Sequence, residues 1–322
     1  MAKGRGLRSV MAGQNMVNGR PMHANKRLLT QILRNEWGVS HALVESDGGD
    51  VIGALFYGFK LAATHEDVAV MSLESGMDMD LGGTTFPLLT QAVRDGKTTE
   101  AQVDRAAYNI LASKFASGIF DHPYTDETRV DQLDKPANRK MARDAAEQSM
   151  TLLINSKSKG APLLPLDFSK IKKLALVGPL ADDGPNQCGS YFNAGANVIT
   201  VKAALEAGLK SYYTGVAMSY SYGASPDNTS TAMIPAAVAA AAAADVTVLV
   251  VGDTMTTCGE MQDRSSLEIA GAQLPLIEAL AKPGMPPLVV LLINGRATTF
   301  GRGNTVLAQL EKNGALMVGW YI

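Results

Sequence analysis

Cysteine is nearly absent from this 322-residue sequence, which holds only Cys188 and Cys258. Two cysteines so far apart cannot build a disulfide framework of the kind that holds small secreted domains together. They read either as one bridge or as two partly buried thiols. Histidine is scarce as well: four residues, none close to another His or Cys, give no zinc-binding pattern. A membrane-spanning helix needs about 20 consecutive apolar residues, and the Ala-rich run from Ala236 to Ala244 is too short and ends at Asp245. Positive charge is not in excess, since 29 Lys and Arg face 31 Asp and Glu for a net charge of −2. Nothing therefore selects nucleic acid or an anionic membrane as a partner. Lys3, Arg5 and Arg8 read as a solvated end, with no apolar segment behind them to make a signal peptide. No GxxxxGK[ST] loop occurs, no GxGxxG follows a strand, and the GxSxG elbow of serine hydrolases is missing. No cofactor or metal is expected.

What is present is ordinary globular protein, 46% hydrophobic and 19% charged. The length suits about two domains. In the first third, short apolar runs alternate with helical periodicity. Ser9–Gly13 and His41–Val44 read as strands, and Asn25–Trp37, with Leu28, Leu29, Ile32 and Leu33 on one stripe, reads as a helix between them. Helices are predicted over Thr64–Ser75, Pro87–Asp95 and Thr99–Phe115, with a short strand at Met77–Leu81. The polar stretch from Phe120 to Pro136 suits a linker, and Asn138–Leu153 reads as a further helix. Beyond it, three strongly apolar runs each end in a glycine turn: Lys173–Val177, Asp245–Val251 and Pro287–Ile293. With helices between them, the Ala-rich run included, they describe an open doubly wound sheet whose functional loops leave the carboxyl ends of the strands.

Two carboxylates stand out. Asp47 follows a strand and precedes Gly48-Gly49, which permit close approach of a ligand to the backbone. The residues alone leave a turn cap as an equal reading. Glu260 lies in the loop Cys258–Arg264 that leaves an apolar strand, where a solvated acid is the plain alternative. A pair of carboxyl groups is what glycoside hydrolysis requires, about 5–5.5 Å apart where configuration is retained.

In motif after motif, in the same order, the sequence resembles glycoside hydrolase family 3. Val10-Met11 through Asn15, Asn18-Gly19-Arg20-Pro21 and Asn25-Lys26 with Leu28-Leu29 match one family segment. Arg34-Asn35-Glu36-Trp37-Gly38 followed by Val44-Glu45-Ser46-Asp47 matches the segment that carries the family's nucleophile. Ser75–Asp80, Gly118–Asp121 with Pro123-Tyr124, Glu147–Ser149, Leu164–Leu166 and Val177–Pro179 continue the likeness. Gly259-Glu260 through Asp263-Arg264, Leu267 and Gln273 resembles the acid/base loop, and Asn294-Gly295-Arg296 matches a later motif.

The resemblance implies an α/β protein: the C-terminal portion of a (β/α)8-type barrel over residues 1–120, a linker over 121–140, and an incomplete α/β sandwich over 141–322. It implies a retaining O-glycosyl hydrolase that releases a terminal β-linked glucose or xylose, with Asp47 as nucleophile and Glu260 as acid/base. Gln14 and Gly48 stand where the family commonly has Tyr and Trp or Cys lining the sugar subsite, and Arg264 is expected to contact substrate. The family barrel begins well upstream of this first residue, and the final Gly319-Trp320-Tyr321-Ile322 falls inside a family motif. The chain is accordingly expected to be truncated at both ends and weakly active by itself. An inactive or merely carbohydrate-binding remnant is the alternative. Asn228-Thr229-Ser230 is a glycosylation sequon but fixes no compartment.

Overall fold

The computed structural model describes residues 7–48, 51–132, 134–158, 160–192 and 198–320. Two compact units emerge, Met1–Val130 and Asp131–Ile322. In the first, strand β1 (Ser9–Ala12) lies parallel to β2 (Leu43–Ser46), with Ala12 opposite Ser46. Helix α1 (Arg27–Glu36) connects them and is wound as a π-helix throughout, its end marked by the Trp37 N–H donating to the Ile32 carbonyl. Leu29 and Leu33 of α1, Val44 of β2, and Val51 and Leu55 beyond it close one buried core. The helices read from sequence at Thr64 and Thr99 form as α2 (His65–Ser75) and α3 (Glu100–Ala116), each opened by a reciprocal capping box.

The Met77–Leu81 segment is not a full strand. It touches β2 through one bridge, Glu45 to Met79, and the Val44 N–H goes to the Asp78 side chain rather than to a backbone carbonyl. A side-chain acceptor has replaced a rung of the ladder.

The second unit is a six-stranded sheet. Its parallel strands are β4 (Lys173–Val177), β5 (Ala217–Ser221), β6 (Val246–Gly252), β7 (Leu288–Ile293) and β8 (Gly314–Val318), in the spatial order β5-β4-β6-β7-β8. An antiparallel edge strand, β3 (Thr151–Asn155), lies beside β8. Both faces are apolar. Ala175, Val177, Leu249, Val251, Leu288 and Val290 point to one side, where α5 (Ile234–Ala242), α6 (Gln273–Leu280) and α7 (Val306–Asn313) cover them. Leu174, Leu176, Val246, Val248, Val250 and Val289 point to the other, under α4 (Val201–Tyr212). Period-2 alternation with helices on both faces explains why these strands read as unbroken apolar runs. The crossover from β4 to β5 uses one face and the return from β5 to β6 the other. The topological switch point therefore falls between β4 and β6, where such sheets open a crevice at the carboxyl ends of the strands.

Leu152 and Leu153, read from sequence as the end of a helix, instead belong to β3. The preceding helix ends at Ser149, and Met150 turns extended (ψ 127°) so that Leu152 pairs with Met317.

Candidate active site

In the first unit the carboxyl edge of β1 and β2 collects the expected residues. Ala12 and Ser46 are matched in register, so Gln14, Asp47 and Gly48 all leave the same edge. Asp47 is half-buried and its Oδ1 accepts from the Gly48 N–H at 2.7 Å. Gly48 is exposed, and a side chain there would meet nothing within 4 Å. Gly49 lies outside the described residues. Gln14 is exposed and precedes a tight hairpin, Met16–Val17 against Arg20–Pro21, turned by Asn18 and Gly19 with positive φ. Below Asp47, the buried Ser46 hydroxyl accepts from the Leu81 N–H at 2.9 Å. It lies 2.7 Å from the Asp47 carbonyl and 3.3 Å from Asp80 Oδ1.

The strand that carries Asp47 is fixed by a buried carboxylate. Asp78, whose side chain is fully inaccessible, accepts on Oδ2 from Arg34 Nη2 at 2.6 Å and the Val44 N–H at 2.9 Å. On Oδ1 it accepts from Arg105 Nη1 at 2.7 Å and Asn109 Nδ2 at 3.0 Å. The guanidinium groups also donate to carbonyls, Arg34 to Ser40, Ala42 and Gly76 and Arg105 to Leu73 and Met77, while Arg34 Nε is buried without a partner. Burial weakens the hold of Arg105 on its proton, and the Asp78 charge opposes that. A buried charge this fully satisfied can persist where an unpaired one could not.

In the second unit Glu260 sits on the loop leaving β6, and it is exposed. Its Oε2 accepts from the Tyr191 hydroxyl. The loop is clamped from below by Arg296, on the turn after β7, whose Nη2 donates to the Thr257 carbonyl at 2.8 Å and the Gln262 carbonyl at 3.0 Å. Arg264 lies in the same loop but its guanidinium is turned inward, 3.4 Å from Asp253 Oδ1 and donating to the Glu268 carbonyl. Asp253 is 2% exposed; burial raises its carboxyl above the usual range, and the Arg296 and Arg264 charges pull it back. Cys188 and Cys258 are both free thiols, Cys258 buried. Among the described residues no cluster of three or more His, Cys, Asp or Glu could hold a metal ion, and no helix is long and apolar enough to cross a membrane.

Residues 4–112 match the model of the glycosyl hydrolase family 3 N terminal domain, and residues 150–322, more than half of the chain, match that of its C-terminal domain. The chain belongs to glycosyl hydrolase family 3. It is 36% identical over 312 residues to a β-xylosidase of Formosa agariphila, covering 90% of this chain and 41% of that protein. A periplasmic β-glucosidase of Salmonella typhimurium is 32% identical over 320 residues, covering 90% of this chain and 40% of the enzyme. The structure of a β-glucosidase from Listeria innocua in complex with glucose superposes with a TM-score of 0.82 at 29% identity, over 98% of this chain and 41% of that one. The family 3 chain thus spans about two fifths of the length of the relatives it matches.

The two groups of expected residues fall in different units, Gln14, Asp47 and Gly48 in the first and Glu260 and Arg264 in the second. Asp78, Arg34 and Arg296 stand in family 3 motifs that by themselves assign them no role, and Tyr191 stands in none of those motifs. One signal was there for Asp78: an acid between Met77 and Met79, following a helix and meeting a buried strand, needs a cationic partner. Nothing in the sequence couples Tyr191 to a residue so distant along the chain.

The clamp on the acidic loop can be tested directly. Arg296→Ala removes two hydrogen bonds to loop carbonyls, each worth about 1.5–3 kcal/mol when the donor is charged. Hydrogen exchange across residues 255–264 should accelerate by roughly tenfold or more, with strand β6 unchanged. Equal protection in variant and parent would show that the loop is held by other contacts.

Proposed function

We propose that this chain carries the two catalytic carboxyl groups of a retaining β-glycosidase acting on terminal β-linked glucosides or xylosides. On this reading residues 1–120 are the C-terminal portion of a (β/α)8-type barrel, 121–140 a linker, and 141–322 part of an α/β sandwich. The observation that carries it is the shared edge in the first unit: Asp47 and the Gln14 turn leave the carboxyl ends of adjacent parallel strands, where barrel enzymes place catalytic groups. Glu260 on an exposed loop at a switch point supplies the second carboxyl group. Asp47 attacks the anomeric carbon while the Glu260 carboxyl gives its proton to the glycosidic oxygen, which leaves with the electron pair of the broken C–O bond. The Glu260 carboxylate then takes a proton from water, the water oxygen bonds to the anomeric carbon, and the bond to Asp47 breaks with its electron pair returning to the carboxylate. Gln14, Gly48 and Arg264 belong to the sugar-binding shell in this reading. No cofactor takes part, and the substrate is a carbohydrate.

A second reading is a carbohydrate-binding remnant without catalysis, in which the exposed Glu260 is a solvated loop acid. A 2-deoxy-2-fluoro-β-glycoside with a good leaving group separates the two. The expected result is a stoichiometric gain of one fluoroglycosyl mass on the peptide containing Asp47. Unlabelled protein, or a label elsewhere, would rule out Asp47 as nucleophile.

A further inference from the structure

The loops after β4 and β6 are joined at three successive points. Asn186 Oδ1 accepts from the Met255 N–H at 2.7 Å. Ser190 packs so closely on Gly259 that a Cβ there would lie 3.2 Å from the Ser190 hydroxyl oxygen. Next along both loops, the Tyr191 hydroxyl donates to Glu260 Oε2. β4 and β6 are neighbours in the sheet, Val177 opposite Leu249, so the two loops flank one crevice from its two sides. The contacts at Asn186 and Ser190 set the backbone from which Tyr191 reaches Glu260.

We propose that Tyr191 is a positioning residue for the acid/base carboxyl group: its hydroxyl holds Oε2 of Glu260 so that Oε1 faces the glycosidic oxygen. The inference rests on the acid/base role of Glu260 given above. Holding one oxygen leaves the other as the proton donor. As that proton passes to the leaving oxygen, negative charge grows on the carboxylate, and a hydrogen bond to a charged acceptor is stronger than one to a neutral acid. The Tyr191 bond therefore gains strength in the transition state, which is the condition for lowering a barrier rather than merely tightening binding. The help counts only where the leaving group needs a proton. An alkyl or sugar alcohol does; a dinitrophenolate departs without one.

Leaving-group dependence provides the test. Wild type, Tyr191→Phe and Glu260→Gln are compared on a methyl or cellobiosyl-type β-glycoside and on the dinitrophenyl β-glycoside of the same sugar. Tyr191→Phe should lower kcat/KM by roughly tenfold or more on the alcohol-leaving substrate and by less than about threefold on the dinitrophenyl one, since general acid assistance is worth about 10²–10⁴-fold. Equal losses on both substrates would reduce Tyr191 to a structural part of the loop and overturn the proposal. If Glu260→Gln itself shows no such split, the acid/base assignment fails first, and the Tyr191 role falls with it. If the wild-type chain turns over neither substrate, the contact is read by Raman spectroscopy as a difference between wild type and Tyr191→Phe. The tyrosine doublet of Tyr191 should report a strong donor that weakens in Glu260→Gln, and an unchanged doublet overturns the contact.

Discussion

Asp78→Ala should cost the first unit about 3 kcal/mol or more, the scale on which removing one partner of a buried ion pair acts. The loss has three parts. Arg34, only 8% exposed at its side chain, keeps its charge but loses its counter-ion. The Val44 N–H, buried in β2, loses the acceptor that replaces a backbone rung. Arg105 and Asn109 on α3 lose their tie to the same point, so the helix is released from β2. Urea unfolding followed by a first-unit probe such as Trp37 should show the midpoint falling steeply, with Asp78→Asn intermediate because it keeps shape and hydrogen-bonding capacity but not charge. A variant within about 0.5 kcal/mol of wild type would mean that the network is a passenger. Because β2 ends one residue before Asp47, the folded fraction should also label poorly with the fluorosugar.

Asp47→Ala is expected to lower kcat on an aryl β-glycoside by roughly four to six orders of magnitude, the range over which loss of a catalytic-unit residue acts, with KM changed only a few-fold. Added azide should restore part of the rate, and the product should be the α-glycosyl azide, because a small anion entering the vacated space attacks from the face that Asp47 used. The plain alternative predicts something quite different. If Asp47 serves only to cap its own turn through Gly48, the variant loses about 1 kcal/mol of stability and keeps its turnover. The two outcomes differ by so much that a single progress curve with and without azide decides between them.

Much of this architecture was legible in the residues, and the reasons are physical. The strands β4, β6 and β7 are covered on both faces, so each announces itself as an uninterrupted apolar run ending in a glycine turn. The Thr64 and Thr99 helices carry their capping residues in the sequence. The edge strands β5 and β3 carry no such signal. Ala217–Ser221 is half exposed and carries two serines, so neither propensity nor periodicity marks it. Thr151–Asn155 pairs with residues far along the chain, and no local signal separates it from the helix it follows. β8 is hidden for another reason: Gly314, where a Cβ would lie 2.7 Å from the Leu288 carbonyl oxygen, lets α7 pass straight into the strand without a turn. Site residues followed the same division. Asp47 and Glu260 stand in contiguous motifs, whereas the partners that position them, Asp78, Arg296 and Tyr191, act across the fold.

The switch point between β4 and β6 has one more consequence, for how such a chain can change over time. Both connections that border the crevice begin buried, through Ala181 after β4 and Thr254 after β6, and reach the surface only at Asp182 and Met255. Doubling the length of such a segment costs only about 0.6 kcal/mol in closure entropy. Insertions beyond Ala181 or Thr254 can thus alter what a bound molecule meets while the sheet beneath is untouched, and diversity among relatives should concentrate there rather than in the strands.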